Sequence, residues 1–418
     1  MSQKIQSIRG MEDVLPDRSP LWQKLEDATR RVFEQYGYRN IRTPIVEPTA
    51  LFVRGIGEAT DIVEKEMYVF SDRNDESLAL RPEATAGIVR SAIEHSFLYN
   101  GPLRVWTMGP MFRYERPQKG RQRQFHQFDV EALGFEGPDV DAEQMVMLAR
   151  LWKALGIRNV ELHVNSIGDS ADRKAHRDKL VRYFEGHRGV LDEDSLRRLE
   201  SNPLRILDSK NPGMQEMIEG APRLIDHLGE AAAEHFESLK VLLEGAGIAY
   251  TVNPRLVRGL DYYNRSVFEF VSPDIGAQST IAGGGRYDGL FEQLGGKATP
   301  ACGFGMGMER VLLTMEAAGM SALQQADAFI VHAGERAEAV AWRVSEEFRD
   351  AGLSVVLGQG GSFKSQMKKA DASGARFAVI IGEGEAQSGD LSVKDLAAGT
   401  QETLKLQAAI QQMKKQRT

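Results

Sequence analysis

Two stretches decide how the chain is read: Met111-Phe112-Arg113-Tyr114-Glu115-Arg116 and, after a short loop, Arg121-Gln122-Arg123-Gln124-Phe125-His126-Gln127-Phe128-Asp129-Val130-Glu131. The first ends a strand-like run, Leu103–Tyr114, and the second opens another from about Phe125 to Leu133. Two such runs around a short connection predict an antiparallel pair. Period two puts Arg113 and Glu115 on one face of the outgoing strand, and Gln127, Asp129 and Glu131 on one face of the returning strand. Polar groups alternating along a face belong either to a solvent-exposed sheet or to a polar pocket. The connection carries Arg113, Arg116, Lys119, Arg121 and Arg123, opposed by Glu115 alone. Such a run is either a solvated loop or a grip for phosphates.

Upstream, Ser19-Pro20 offers an N-cap and first-turn pair for a helix carrying Trp22, Leu25, Thr29, Val32, Phe33 and Tyr36, stopped by Gly37. Ile41–Pro48 is extended and holds two prolines, which suits an edge strand. Further strands are predicted at Met67–Phe70 and Ser77–Arg81, with a helix over Ala84–His95. Strands neighbouring in sequence point to a largely antiparallel sheet, without the regular strand–helix alternation of a Rossmann domain. From about Asp169 to Gly229 the pattern is helical and polar, broken at Asn202-Pro203 and Asn211-Pro212-Gly213, and reads as an insertion. Strand signals return at Tyr250–Val252 and Ser266–Val271. A boundary falls near Ser321–Gln325. Beyond it, strands Ala328–Val331, Leu353–Leu357 and Phe377–Ile381 alternate with helices Ala337–Ala351 and Ser362–Ser373, a small α/β domain.

Cys302-Gly303-Phe304-Gly305-Met306-Gly307-Met308-Glu309-Arg310 places three glycines on one face of a strand that runs into a helix. A face without side chains either lets a flat ligand approach the backbone or accepts tight packing of another segment. Arg310 adds a planar cation beside it, able to stack on a base or hold a phosphate. Beside the polar face of the first two stretches, the pocket reading gains weight.

The bulk composition narrows the class. The 418 residues predict two or three domains. With 42% hydrophobic and 27% charged residues, the composition is that of a globular protein. No run of about 18 apolar residues occurs, so no membrane span is expected. Met1-Ser2-Gln3-Lys4-Ile5 lacks the apolar core of a secretory signal, and the single cysteine, Cys302, allows no intrachain disulfide; a cytoplasmic location is expected. No Cys/His cluster has zinc spacing, and no protein-held metal is expected. The net charge of −7 argues against a protein coated in nucleic acid but leaves room for a local basic patch.

The hairpin, the glycine strand with Arg310 and the segment Thr43–Glu47 together resemble the three motifs of class II aminoacyl-tRNA synthetases. Leu256-Val257-Arg258-Gly259-Leu260-Asp261-Tyr262-Tyr263 and Ala282-Gly283-Gly284-Gly285-Arg286-Tyr287-Asp288 resemble the two histidine-specific signatures of the histidyl-tRNA synthetases, and Arg81-Pro82-Glu83-Ala84-Thr85-Ala86-Gly87 is similar to a further family segment. The resemblance spans essentially the whole chain. It implies an α+β fold: a class II catalytic domain (residues 1–325) with an antiparallel sheet flanked by helices and a helical insertion (about 169–229), then an α/β anticodon-binding domain (326–418).

The resemblance also implies roles. Arg113 would contact the ATP α-phosphate and the substrate carboxylate. Glu115, Arg121 and Phe125 would position ATP, with adenine between Phe125 and Arg310. Glu83, Thr85 and Gln127 would hold the amino-acid end of L-histidine. Glu131 and Tyr263 would read the imidazole nitrogens, with Tyr262 and Tyr287 nearby. Arg258 would stand where related synthetases place a metal, so Arg258 and Arg113 are the expected catalytic cations. ATP would arrive with Mg2+, and no prosthetic group is expected. Arg116, Gln118 and Lys119 would meet the acceptor end of tRNA(His). A homodimer is implied through Ile41–Pro48. Gln122 departs from relatives that often carry an aromatic residue there, which bears on the loop contacts. Two rivals are weighed. A non-catalytic regulatory subunit of ATP phosphoribosyltransferase resembles the catalytic domain but has degraded signatures and no anticodon domain; here Arg258, the basic loop and residues 327–418 are all present. A histidine-sensing or purely RNA-binding module fits the complete set of ATP residues less well.

Overall fold

The computed structural model describes residues 4–416 apart from 59, 208, 210 and 322–324, and describes 277 and 278 by backbone only. The chain divides into two compact units, Met1–Ala322 and Leu323–Thr418. The expected boundary near Ser321–Gln325 lies partly outside the described residues, as do Met1, Ser2 and Gln3 of the N-terminal stretch.

The strands of the first unit are β1 (Arg39–Asn40), β2 (Val46–Pro48), β3 (Tyr68–Ser71), β4 (Ser77–Leu80), β5 (Leu103–Phe112), β6 (Gln124–Leu133), β7 (Glu161–Ser166), β8 (Thr251–Val252), β9 (Asn264–Val271), β10 (Thr280–Arg286) and β11 (Ala301–Gly307). Eight form one sheet in the order β1-β5-β6-β11-β10-β9-β7-β8. Every pair from β5 to β7 is antiparallel, and only the outer pairs β1–β5 and β7–β8 are parallel. The β5–β6 hairpin runs without slip from Leu103↔Leu133 to Phe112↔Gln124. Its outgoing strand ends two residues before the expected Tyr114, because the Tyr114 N–H turns to the Glu66 carbonyl at 2.6 Å. Pro110 lies beyond the two residues that β1 covers, on the side where Phe112 N–H meets Arg81 O, so its missing N–H costs no ladder bond.

Ile41–Pro48 is not one strand. Only Val46–Pro48 pairs, as the edge of a three-stranded sheet ordered β2-β4-β3, with Pro48 opposite Leu78. The first helix is Ser19–Gln35; Arg18 rather than Ser19 takes the cap position, and the Ser19 hydroxyl donates to Leu15 O at 3.1 Å. This helix, Pro138–Leu155 and Met308–Ala317 bury Leu25, Phe33, Leu148, Leu151, Val311 and Met315 against Phe128 and Phe304 of the sheet. A second cluster includes Ile88 and Val89 of the helix Thr85–Glu94 with Val105, Leu133, Tyr262, Tyr263 and Tyr287. The insertion has its own small core of Leu180, Phe184, Ile206 and Met214. Its two proline breaks open the short turns Pro203–Ile206 and Pro212–Met214. Among the described residues, no helix is long and apolar enough to cross a membrane.

The second unit contains β12 (Ala328–His332), β13 (Val355–Leu357), β14 (Phe377–Ile381), β15 (Asp390–Asp395) and β16 (Gln401–Lys405), ordered β13-β12-β14-β15-β16. The first three are parallel and the last two antiparallel. Ile330 and Val379 face the cluster with Val344 and Phe348 of the helix Glu335–Asp350, whereas Phe329, Val331 and Ala378 face Ala370 of Phe363–Ala372. Period-two alternation thus buries both faces.

Candidate active site

A cleft of about 290 Å³ opens over β6, β11, β10 and β9. Arg113, Glu115, Arg121, Phe125, Gln127, Arg258 and Arg310 all line it, with Gly283, Gly305 and Gly307 on its floor. The hairpin delivers the first five. Arg113 donates from Nε to Pro82 O at 2.9 Å, and its guanidinium lies 5.2 Å from the centre of the Phe125 ring. Arg121 is clamped by Glu115, with Glu66 at 3.8 Å. Burial raises Glu66 and the adjacent Glu115 charge raises it further, against the pull of Arg113 and Arg121. Arg310 is oriented by Nε–H to Gly120 O at 2.8 Å and Nη1–H to Thr280 O at 2.9 Å. Four guanidinium groups facing one cleft favour a polyanion there.

Behind the cleft lies a drier compartment. Glu83 accepts the Thr85 and Ala86 N–H groups at 2.8 and 2.9 Å, at the start of the helix Thr85–Glu94. The Thr85 hydroxyl donates to Glu131 at 2.6 Å, and the Tyr287 hydroxyl donates to the other Glu131 oxygen. Tyr262, Tyr263 and Tyr287 stand around them, with ring centres 4.7 Å (Tyr262–Tyr263) and 5.5 Å (Tyr262–Tyr287) apart. All three rings are buried. Burial pushes Glu83 above the usual carboxylate range despite its N–H bonds, and pushes Glu131 well above it despite the two hydroxyls.

The glycines explain how large polar groups fit here. Gly303 pairs with Glu131, and a Cβ on Gly303 would overlap the Glu131 carboxylate. A Cβ on Gly283 would come within 2.8 Å of Arg258 Nη1 and 3.1 Å of Phe268 O. Gly283 therefore makes room for Arg258, which pairs with Glu269 and lies 5.8 Å from the centre of the Tyr263 ring. Of the three spaced glycines, Gly303 is covered by a side chain of the neighbouring strand, while Gly305 and Gly307 stay open to the cleft. The bare face is thus filled at Gly303 and left accessible from the cleft at Gly305 and Gly307.

The structure does not bring Arg116, Gln118 and Lys119 into the cleft. They are exposed on a tight turn in which Gln118 and Arg121 exchange backbone bonds of 3.0 and 2.9 Å and Gly120 takes a positive φ of 73°. Gln122 lines the cleft and donates to Glu12 at 3.1 Å. Tyr263 also lines a second cavity toward the insertion. Among the described residues, no group of three or more His, Cys, Asp or Glu is arranged to hold a metal ion.

Sequence reasoning assigned no role to two buried groups. Arg286, fully buried, donates to both Asp141 oxygens and to the carbonyls of Phe135 and Gly137, holding β10 to the segment that opens the helix Pro138–Leu155. Asp129 lies between Gln127 and Glu131, and the alternation of that strand was the available signal.

A largely antiparallel sheet with cations presented by a hairpin and by the helix after a glycine strand defines a class II aminoacyl-tRNA synthetase catalytic domain. The family pattern described as histidyl-tRNA synthetase matches residues 10–311, and the pattern described as anticodon binding domain matches 327–416. A histidine–tRNA ligase of Methylobacillus flagellatus is 58% identical over 415 residues, 98% of this chain and 99% of its own. Another from Thiobacillus denitrificans is 58% identical over 419 residues, covering 99% and 100%. The crystal structure of apo S. aureus histidyl-tRNA synthetase is 37% identical with a TM-score of 0.82, over 98% of this chain and all of that one. The chain belongs to the histidyl-tRNA synthetase family.

Proposed function

We propose that the protein activates L-histidine with ATP, forming histidyl-adenylate and pyrophosphate, and transfers histidine to the 3′ end of tRNA(His). The observation that carries this is the junction of two unlike compartments: an arginine-lined cleft beside a buried compartment of carboxylates and tyrosines. The anticodon-binding match of the second unit favours this over the non-catalytic regulatory subunit.

In this reading ATP lies in the cleft with adenine against Phe125 and Arg310, and its triphosphate faces Arg113 and Arg121, the latter held in position by Glu115. Mg2+ enters with the nucleotide as part of the substrate. Histidine lies with its imidazole toward Glu131, Tyr263, Tyr262 and Tyr287, and its amino-acid end toward Glu83, Thr85 and Gln127. A carboxylate held by two hydroxyls can exchange one for an imidazole N–H, while an apolar side chain of similar size would leave those groups unpaired. The histidine carboxylate attacks the α-phosphorus in line, and the charge growing on the phosphoryl oxygens is met by Arg113 and Arg258. Arg116, Gln118 and Lys119, exposed outside the cleft, would meet the acceptor end of the RNA, and the second unit would hold its anticodon. Cytoplasmic location accords with this role.

ATP–pyrophosphate exchange measured across the amino acids tests the reading: exchange with histidine alone is expected, and exchange led by another amino acid would refute it. We further propose a homodimer through the three-stranded sheet, where Ile45, Val46, Val69 and Phe70 are 39–52% exposed. Sedimentation as a monomer at micromolar concentration would refute that part.

A further inference from the structure

We infer that Asp129 receives the α-ammonium group of the amino-acid substrate and so helps position it; the inference rests on the function proposed above.

Position comes first. Asp129 shares a face of β6 with Gln127, which lines the cleft, and with Glu131, which lies in the buried compartment. It stands one two-residue step, about 7 Å of strand, from each. That is where a substrate joining the two compartments must place its α-carbon. Across the sheet Asp129 faces Thr107 of β5 and Gly305 of β11. Gly305 opens to the cleft, and a Cβ there would lie 3.1 Å from both Asp129 Oδ1 and Gln127 Nε2.

Satisfaction comes second. Asp129 is 3% exposed, and its Oδ2 is buried without a hydrogen-bond partner. Its acidic neighbours are provided for: Glu83 by two N–H groups and Glu131 by two hydroxyls. The cations facing it are Arg81 and Arg113. Arg81 donates to the carbonyls of Pro110 and Thr43, and Arg113 Nε donates to Pro82 O. A buried carboxylate left in this state is uncommon unless a ligand completes it. Burial, then the charge of Glu83, raise its pKa to about 8 against the opposing pull of Arg81 and Arg113. Burial without a partner thus favours the protonated form of Asp129. An arriving ammonium ion would favour the ionised form and release a proton.

Asp129→Asn in the full chain tests this, because asparagine has the shape of the protonated acid. The KM for histidine in exchange should rise about 10–100-fold, the loss of a hydrogen bond to a charged group, while that for ATP changes less than about two-fold. Two probes divide the substrate. Histidinol has the ammonium and imidazole but no carboxylate; imidazolepropionate has the imidazole and carboxylate but no ammonium. The substitution should weaken histidinol binding and leave imidazolepropionate binding unchanged. In the unaltered protein near pH 7, calorimetry in buffers of different ionisation enthalpy should show more proton release with histidinol than with imidazolepropionate. This second reading stands even if the variant folds poorly. Equal weakening of both probes, equal proton release, or an unchanged histidine KM in a folded variant would overturn the role of Asp129 alone. Absence of histidine-dependent exchange in the unaltered protein would overturn the proposed function and this inference together.

Discussion

Asp129 and Asp141 are equally buried, 3% and 2% exposed, and titrate in opposite directions. Asp141 accepts Arg286 Nη2 at 2.6 Å, Arg286 Nε at 3.2 Å, His235 Nε2 at 2.8 Å and the Ser266 hydroxyl. Burial raises it, but the His235 bond and the Arg286 charge outweigh that and hold it at about 2. Asp129 has an orphan oxygen and stands at about 8. Burial is the same penalty in both places, and the partners decide its outcome. The paired site is scaffold: Arg286 fixes the end of β10, and the next residue, Tyr287, reaches Glu131. The unpaired site faces the compartment where a substrate cation would supply the missing partner.

The largest expected effect breaks the scaffold side. Arg286→Met removes the main partner of a buried charge and should cost about 3–5 kcal/mol of stability in the first unit. Denaturant unfolding at the same midpoint as the unaltered protein would remove Arg286 from the scaffold.

Next comes the cleft. Arg258→Ala should retain the fold, because Glu269 keeps the Thr280 hydroxyl at 3.0 Å, yet lower exchange by about 10²–10³ through loss of one preorganised cation. Arg258→His should be nearly as poor, since a neutral imidazole carries no permanent charge. Near-normal exchange in both would refute the catalytic role.

The pH dependence of stability sharpens the comparison itself. Asp141 is held from 3.8 down to about 2, so its contribution, on the order of 2 kcal/mol, is complete above the unfolded value and lost as pH falls toward 2. Asp129 is raised from 3.8 to about 8, so its contribution is present below the unfolded value and is lost as pH rises toward 8. Asp129→Asn should therefore be more stable than the unaltered protein near pH 8 and flatten the decline between about pH 4 and 8. Asp141→Asn leaves the buried Arg286 charge without its carboxylate, so it should lower stability across the pH range and also remove the acid-side dependence. Identical pH profiles of the unfolding midpoint in the two variants would end the distinction drawn between the sites.

The local pattern determined a good deal. Alternation around a short basic connection identified the β5–β6 hairpin and put Gln127, Asp129 and Glu131 on one face, because period two is a property of the extended backbone itself. Glycine spacing identified the bare face of β11 for the same reason. Other elements carried no such signal. The helix Pro138–Leu155 buries Val140, Ala142, Met145, Met147, Leu148 and Leu151, so wide a set of positions that no single apolar stripe marks it. Strand β16 is mostly exposed and lacks an apolar alternation. Tertiary structure alone decided that β11 inserts between β6 and β10, that Gly303 is covered by Glu131, and that Glu131 is met by Thr85 and Tyr287, 46 and 156 residues away. It also decided which of two buried aspartates is paired. A residue's type states what it can bond to, but its partners arrive from distant strands, and only their arrival makes one carboxylate part of the scaffold and leaves the other open to a ligand.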